Sequence, residues 1–453
     1  MEIEMKILHE GAFYTVFYNL FRSSFLTLYK KITVIGRENI KKNEAVLITP
    51  NHQNSMMDAM AILFTTPRPH PYFVARADIF KKKFVSRVLH SLKMLPIYRI
   101  RDGKENLKNN ELITQKTIKV LEAGVPFTIY PEGNHDGHRR FRGAKKGVVR
   151  TAFAALESFP EGKQLYIVPT GIEYNTSYEK AMQDIVVFYG KPICVNDFLS
   201  LYLEDKARAE RQLQLKIQER MSDQMINIQS LEYYDLYDVL RELSCGDVMK
   251  ARGVKRNPEQ KLYAQQAIIK ALDAALEKDE TPFAALKPKA ETYYRLLKQW
   301  NLRDWLFDQK RYRISTLLAQ FVGLLLLSPY AVFGRLSSGL QYAFIDKMAN
   351  KNKDPQWRSS VRFIMGFTLM PISHLLLASI VFFSKLSAWC FFPALILLAF
   401  GGYFSLHYEV WFKKFVARVR YNRLMKQPKG AFKTLLDLRA ELNDFVHKQM
   451  DLH

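Results

Sequence analysis

The chain has 453 residues, a formal net charge of +23 and a pI near 9.7. That length exceeds one hydrophobic core, and that charge implies an anionic partner: nucleic acid, an anionic membrane surface or a phosphorylated substrate. Three cysteines, Cys194, Cys245 and Cys390, form no close pair, which excludes a disulfide framework and a zinc ribbon, and the start with Glu2 and Glu4 argues against a cleaved secretory signal.

In chain order, residues 1–31 carry an aromatic and leucine-rich stretch, Gly11 to Tyr29, interrupted by Arg22 and closed by Lys30 and Lys31. This pattern predicts a helix lying in the headgroup layer, with a docking helix of the next domain as the alternative. Across residues 32–195 short β-rich runs alternate with helical stretches. Val46 to Thr49, Phe127 to Tyr130, Ile167 to Thr170 and Ile185 to Tyr189 read as buried strands, while Ser55 to Phe64, Lys108 to Ala123 and Ala144 to Leu156 read as helices. The alternation predicts an α/β domain with helices packed on a sheet. Residues 196–313 are charged and helical in pattern, with Leu213, Ile217 and Met221 at helical spacing and a helix starting at Pro258.

Three stretches contain no Asp, Glu, Lys or Arg: Ile314 to Gly334, Phe363 to Ser384 and Leu386 to Tyr408. A span needs roughly 20 apolar residues, so residues 314–410 are read as membrane segments and 411–453 as a basic cytosolic tail. Basic residues flank both ends of the set, at Arg303, Lys310, Arg311 and Arg313 and again at Lys413, Lys414, Arg418, Arg420 and Arg423. Both flanks therefore look cytosolic, and three crossings cannot satisfy that. The expectation is that the first stretch, broken by Pro329, is re-entrant or interfacial and that the other two form a hairpin.

Two predicted strands run into polar motifs. The first is Pro50-Asn51-His52-Gln53-Asn54-Ser55-Met56-Met57-Asp58. A neutral imidazole suits removal of a hydroxyl proton, and a carboxylate can fix its tautomer and stabilise the imidazolium. Six residues on an unbroken helix would not bring His52 and Asp58 to one face, so His52 belongs in the turn before the helix. Ser55-Met56-Met57-Asp58 also fits a capping box, which would make Asp58 purely structural. The second motif is Tyr130-Pro131-Glu132-Gly133, followed by Arg139, Arg140, Arg142, Lys145 and Lys146, which could hold phosphates or form a solvated edge. A further segment, Leu95 to Arg101, sets Arg99 and Arg101 on one side of an extended run, and Arg suits bidentate phosphate contact.

Together and in this order, these motifs resemble those of the glycerol-phosphate and lysophosphatidate acyltransferase family, over roughly residues 32–195. The family's first motif is matched by Asn51 to Asp58, its second by Ile97-Tyr98-Arg99, its third by Tyr130-Pro131-Glu132-Gly133 with Lys145-Lys146-Gly147, and its fourth by Val168-Pro169. Five residues separate His52 from Asp58 where the family usually has four, and a branch acting on glycerol 3-phosphate looks similar in this respect. After Gly133, Asn134-His135-Asp136-Gly137-His138 departs from the family's usual Thr or Ser and basic residue. The resemblance implies an α/β acyltransferase domain with helices packed on a mixed sheet, facing the cytosol, followed by the helical region and C-terminal membrane helices. It implies His52 as general base and Asp58 as its orienter. Arg99, Arg101, Glu132 and Gly133 would hold the acceptor phosphate, with Lys145 and Lys146 as further phosphate contacts. The donor would be acyl-CoA or acyl carrier protein with no cofactor and no metal, the acceptor glycerol 3-phosphate or a lysophospholipid, and the surroundings anionic membrane lipid. Rival readings are a metal-dependent hydrolase built on His135, Asp136 and His138, and a lipid-binding scaffold without turnover. Nucleic-acid binding is disfavoured because the positive charge flanks apolar segments and no binding module is present.

Overall fold

The computed structural model describes residues 10–98, 109–134, 136–175, 182–383 and 388–451, and the chain divides into two compact units. The first comprises the residues up to Met225 together with Asn352–Phe363, and the second Ile226–Lys351 together with Ile364–His453.

The first unit is built on an 8-stranded mixed sheet. Its strands are β1 (Tyr29–Ile35), β2 (Ala45–Pro50), β3 (Tyr72–Arg76), β4 (Met94–Ile97), β5 (Phe127–Thr128), β6 (Leu165–Tyr174), β7 (Gln183–Tyr189) and β8 (Ile193–Cys194), in the order β1-β7-β6-β2-β5-β3-β4 with β8 also pairing β6. β2, β3, β4, β5 and β6 run parallel, while β7 and β8 are antiparallel to β6. Every residue of β2 is buried, and its side chains alternate between two cores: Ala45 and Leu47 enter one, Val46 and Ile48 the other. A central parallel strand covered on both faces reads as a continuous apolar run for this reason. Intervening helices are α1 (Ala12–Leu28), α2 (Ser55–Thr65), α3 (Lys83–Ser91), α4 (Asn109–Glu122), α5 (Lys146–Ser158), α6 (Leu199–Glu204) and α7 (Lys206–Ser222).

Sequence patterning missed β1, β3 and β8 and caught β4 only as the start of the extended run from Leu95, and it extended the strand at Phe127 too far: β5 ends at Thr128, and the Ile129 N–H to Ile48 O bond (3.0 Å) continues the ladder. α1 docks on the sheet by part of its surface only. Phe25 is buried in the core beside Ile48, while Phe13, Val16, Leu20 and Leu26 are exposed. Residues 196–225, assigned by pattern to the helical region, belong to the first unit, because Ala209, Leu213, Ile217, Met221 and Met225 pack into the core that holds Leu47 and Ile167.

The second unit contains α8 (Tyr234–Ala251), α9 (Pro258–Lys278), α10 (Thr281–Gln299), α11 (Ile314–Asn350), α13 (Phe391–Leu424), α14 (Ala431–Gln449) and most of α12 (Arg358–Phe383). Asn257 caps α9 by accepting from the Gln260 N–H at 2.8 Å, with Pro258 at the first helical position. The C-terminal residues are not a tail. α13 continues to Leu424, and α14 packs on α8, α9 and α10, burying Phe432, Leu435, Leu442 and Val446. Composition showed only the basic residues; the apolar ones recur at helical spacing and close the bundle.

α11, α12 and α13 are each long and apolar enough to cross a membrane. The expected break at Pro329 is absent, and α11 is one helix of 37 residues. Proline removes one backbone donor, which membrane helices tolerate. α11 packs antiparallel against α13, with Phe321 near Phe415, the Tyr408 hydroxyl donating to Leu324 O at 3.0 Å, and Gly334 against Gly401. The packed pair is thus the first and third apolar segments, because glycine at both positions lets the two backbones meet.

Candidate active site

Five parallel strands place their carboxyl ends on one edge of the sheet, where ligands of open α/β sheets bind. β2 delivers Asn51 and His52 there, and β5 delivers Tyr130 to Gly133. Asn51 extends the β2–β6 ladder past Pro50: its Oδ1 accepts from the Ile172 N–H at 2.7 Å and its Nδ2 donates to Ile172 O at 3.2 Å. The histidine that follows is therefore held at a fixed height above the sheet.

His52 Nδ1 lies 2.9 Å from Asp58 Oδ2. The Asp58 carboxylate is fully buried, and the same Oδ2 accepts the N–H groups of Gln53 (2.8 Å) and Asn54 (2.7 Å), while Oδ1 accepts from the Tyr174 hydroxyl (2.6 Å). The capping box itself is not formed, since Asn54 stands at the helix cap and Ser55 Oγ makes no hydrogen bond, but the Asp58 carboxylate accepts two N–H groups at the helix start while facing the imidazole. Ser55 makes the contact possible. With φ at 44° it takes the left-handed conformation that side chains seldom adopt, and the Met57 N–H closes a turn on Asn54 O at 2.9 Å. The chain tightens there, so Asp58 reaches His52 across five intervening residues.

The Tyr130 ring stacks on the imidazole, with centroids 4.1 Å apart and planes at 25°. Burial, followed by the nearby Asp58 charge, pushes the hydroxyls of Tyr130 and Tyr174 well above their ordinary range, so both stay protonated at neutral pH. Tyr174 can then only donate to the carboxylate. Neither tyrosine was singled out by sequence. Tyr130 was visible as the aromatic of its motif, whereas Tyr174 lies 116 residues from Asp58 and only the sheet brings it near.

Glu132 bridges two segments of the site. Its Oε1 accepts the His52 N–H at 3.3 Å, and its Oε2 accepts from Arg142 Nε at 3.0 Å and from the Arg142 N–H at 3.3 Å. Burial raises its carboxyl, with Arg142 and His52 acting in the opposite direction. Both oxygens face donors of the protein, so Glu132 ties the histidine loop to Arg142. Gly133 has a left-handed φ of 69°, which suits the turn after the strand and leaves the Lys145 side chain room to pass. The Lys145 N–H donates to Pro131 O at 2.8 Å, and Lys145 and Lys146 are exposed beside this turn, where α5 begins. Arg99 and Arg101 lie outside the described residues; before them, Tyr98 is held through both backbone groups by Asn110, at 3.0 and 2.8 Å. His135 also lies outside. His138 Nδ1 pairs with Asp136 Oδ1 at 2.8 Å, and among the described residues no three His, Cys, Asp or Glu side chains converge on a metal position.

A buried carboxylate behind a partly exposed imidazole, at the carboxyl edge of the sheet, can remove a proton from a bound hydroxyl. Residues 31–173 match the family model described as Acyltransferase. The match spans the dyad, the Glu132 clamp and nearly all of β6. Within the curated proteins, the 1-acyl-sn-glycerol-3-phosphate acyltransferase of Borreliella burgdorferi is 28% identical over 173 residues, 38% of this chain and 59% of that protein. The chain thus spans somewhat over half the length of that relative. The crystal structure of the 1-acyl-sn-glycerophosphate acyltransferase PlsC from Thermotoga maritima is similar over 45% of this chain and 78% of that one, at 20% identity and a TM-score of 0.32. So loose an overlap carries no argument, and the first unit is read from its own sheet and site.

Proposed function

We propose that the chain transfers a fatty acyl group from a thioester, acyl-CoA or acyl carrier protein, to the hydroxyl of a glycerol-phosphate acceptor in phospholipid synthesis. The observation that carries this reading is the His52–Asp58 pair inside the segment that matches the acyltransferase family. Asp58 holds the Nδ1 proton, which leaves the Nε2 lone pair to take the proton of the acceptor hydroxyl as its oxygen attacks the thioester carbonyl. The imidazolium then returns that proton to the departing thiolate, so no acyl-enzyme is needed. Arg99, Arg101, Lys145 and Lys146 are the proposed contacts for the acceptor phosphate, joined by Arg142, whose orientation Glu132 sets.

For the acceptor, the relative's name favours lysophosphatidate. The longer His-Asp spacing, the ground for preferring glycerol 3-phosphate, loses weight because the left-handed turn at Ser55 absorbs it. Glycerol 3-phosphate stays as the second reading. The test is an acylation assay of the purified chain, crossing both donors with both acceptors, alongside His52→Ala. The variant should fold and lose about 10² to 10⁴ in rate. Full activity in His52→Ala, or turnover with neither acceptor, would falsify the assignment.

A further inference from the structure

α3 is the least covered helix of the first unit. Around its axis Phe84, Val85, Val88 and Leu89 occupy one arc and Lys83, Ser86, Arg87 and His90 the other, yet none of its residues is buried. Phe84 is 77% exposed, and Ile79, one turn earlier in the chain, is 40% exposed. An amphipathic helix normally spends its apolar arc on a core; here Val85, Val88 and Leu89 are half-buried and Phe84, at the start of the arc, is left exposed. Lys81, Lys82 and Lys83 precede the phenylalanine, and neither they nor Arg87 meet a carboxylate among the described residues.

The sheet fixes where this patch lies. β3 runs parallel to β5, and β5 to β2, so the carboxyl end of β3 is on the edge that carries His52. Lys81 to Phe84 follow that end after the short turn Ala77–Phe80. In the strand order β3 stands two places from β2, roughly 10 Å away at the usual strand spacing.

We propose that Lys81, Lys82, Lys83 and Phe84 form a contact for an anionic bilayer surface, the lysines meeting lipid phosphates and Phe84 entering the headgroup layer, so that the His52 edge is held against the membrane. Exposed aromatic side chains beside clustered lysines match the interface chemically, since the ring buries in the acyl boundary and the ammonium groups stay with the headgroups. A soluble partner protein would need an acidic, apolar face to fit the same patch. A contact at this edge would let a lipid acceptor reach the site without leaving the bilayer. The contact adds to the acyl-transfer reading without depending on it, because it is measured with no substrate present.

The experiment uses the full chain in phosphatidylcholine vesicles with and without phosphatidylglycerol. With Cys194, Cys245 and Cys390 replaced by Ser, an environment-sensitive fluorophore is attached at Phe84→Cys, and in a second protein at Glu161→Cys. Glu161 is exposed and precedes the amino end of β6, hence lies at the opposite edge of the sheet. The label at position 84 should be quenched by a shallow lipid-borne nitroxide when phosphatidylglycerol is present, and the label at 161 should not. Replacing Lys81, Lys82 and Lys83 by Gln should weaken the effect by roughly fivefold per lysine. Amide exchange of the Ala77–Ser91 segment in the unmodified chain gives a readout that needs no substitution, with slower exchange expected in anionic nanodiscs than in neutral ones. Equal quenching at the two positions, or exchange indifferent to anionic lipid, overturns the proposal.

Discussion

Asp58 shows how much one side chain can be asked to do. It sits at zero exposure with four donors around two oxygens: His52 Nδ1, two backbone N–H groups and the Tyr174 hydroxyl. A buried carboxylate is tolerable only when so satisfied. Tyr174 does not reach the imidazole, so it acts by positioning the carboxylate. Tyr174→Phe should lower kcat about tenfold with little change in KM, since a hydrogen bond to a charged group is worth about 1.5–3 kcal/mol. A drop in thermal stability with unchanged kcat, measured below the variant's melting temperature, would show Tyr174 to be only a core residue.

Among the elements, the entry to α1 and the pair α11–α13 make separate predictions. Glu10 Oε1 accepts from the His70 N–H and from Lys93 Nζ, both at 3.0 Å, which ties the start of α1 to β3 and β4. Burial alone would push the Glu10 carboxyl up, but the His70 hydrogen bonds and the Lys93 charge outweigh it and bring the value from 4.5 to about 2. A depressed carboxyl contributes stability that is complete above its unfolded value near 4.5 and lost as pH falls toward 2. The melting temperature of the first unit should therefore decline across that window, and Glu10→Gln should flatten the decline while lowering stability at neutral pH. An identical pH dependence in the variant would remove Glu10 from this role. In the other element, a Cβ at Gly334 would stand 1.9 Å from Gly401 O. Gly334→Leu should force α11 and α13 apart, detected as lost crosslinking between cysteines placed at Phe321 and Phe415, whereas Gly323→Leu, with nothing within 4 Å, should crosslink normally.

At the scale of the whole molecule, the basic flanks of the apolar helices make a prediction about membrane sidedness. Between residue 10 and Arg313 no described segment is long and apolar enough to cross a membrane. Asn352–Phe363 belongs to the first unit, where Phe363 lies in the core and contacts the Phe21 ring. The basic residues on both flanks of the apolar helices predict Lys351 on the same face as Lys310, with α11 not crossing although it has 37 residues. The end of α13 returns to that face as well, since Asn422 Oδ1 accepts the Tyr312 N–H at 2.9 Å and the Tyr421 hydroxyl donates to Gln309 O at 3.0 Å. Cysteines at Lys310, Lys351 and Lys426 should all react with an impermeant reagent from one face. Reaction at Lys351 from the opposite face would make α11 a full crossing and break the argument.

Local pattern carried the apolar stretches, the central strands Val46 to Thr49 and Ile167 to Thr170 and the helix after Ser55, because each rests on periodicity, whereas the pairing of His52 with Asp58 came from the resemblance of their motif. It was silent on β8, whose two residues are too few to show a period, and on α14, whose basic residues mask an apolar face. Nothing in Tyr-Pro-Glu-Gly reveals that both Glu132 oxygens face donors of the protein. The sequence by itself determined the chemistry at hand, an imidazole and a carboxylate at the end of a buried strand. Only the tertiary structure decided how that chemistry is held, because the Tyr174 hydroxyl, the Glu132–Arg142 clamp and the meeting of Gly334 with Gly401 are contacts between distant segments. Such contacts exist only once loop closure over tens of residues has been offset by the packing of the sheet and the helices.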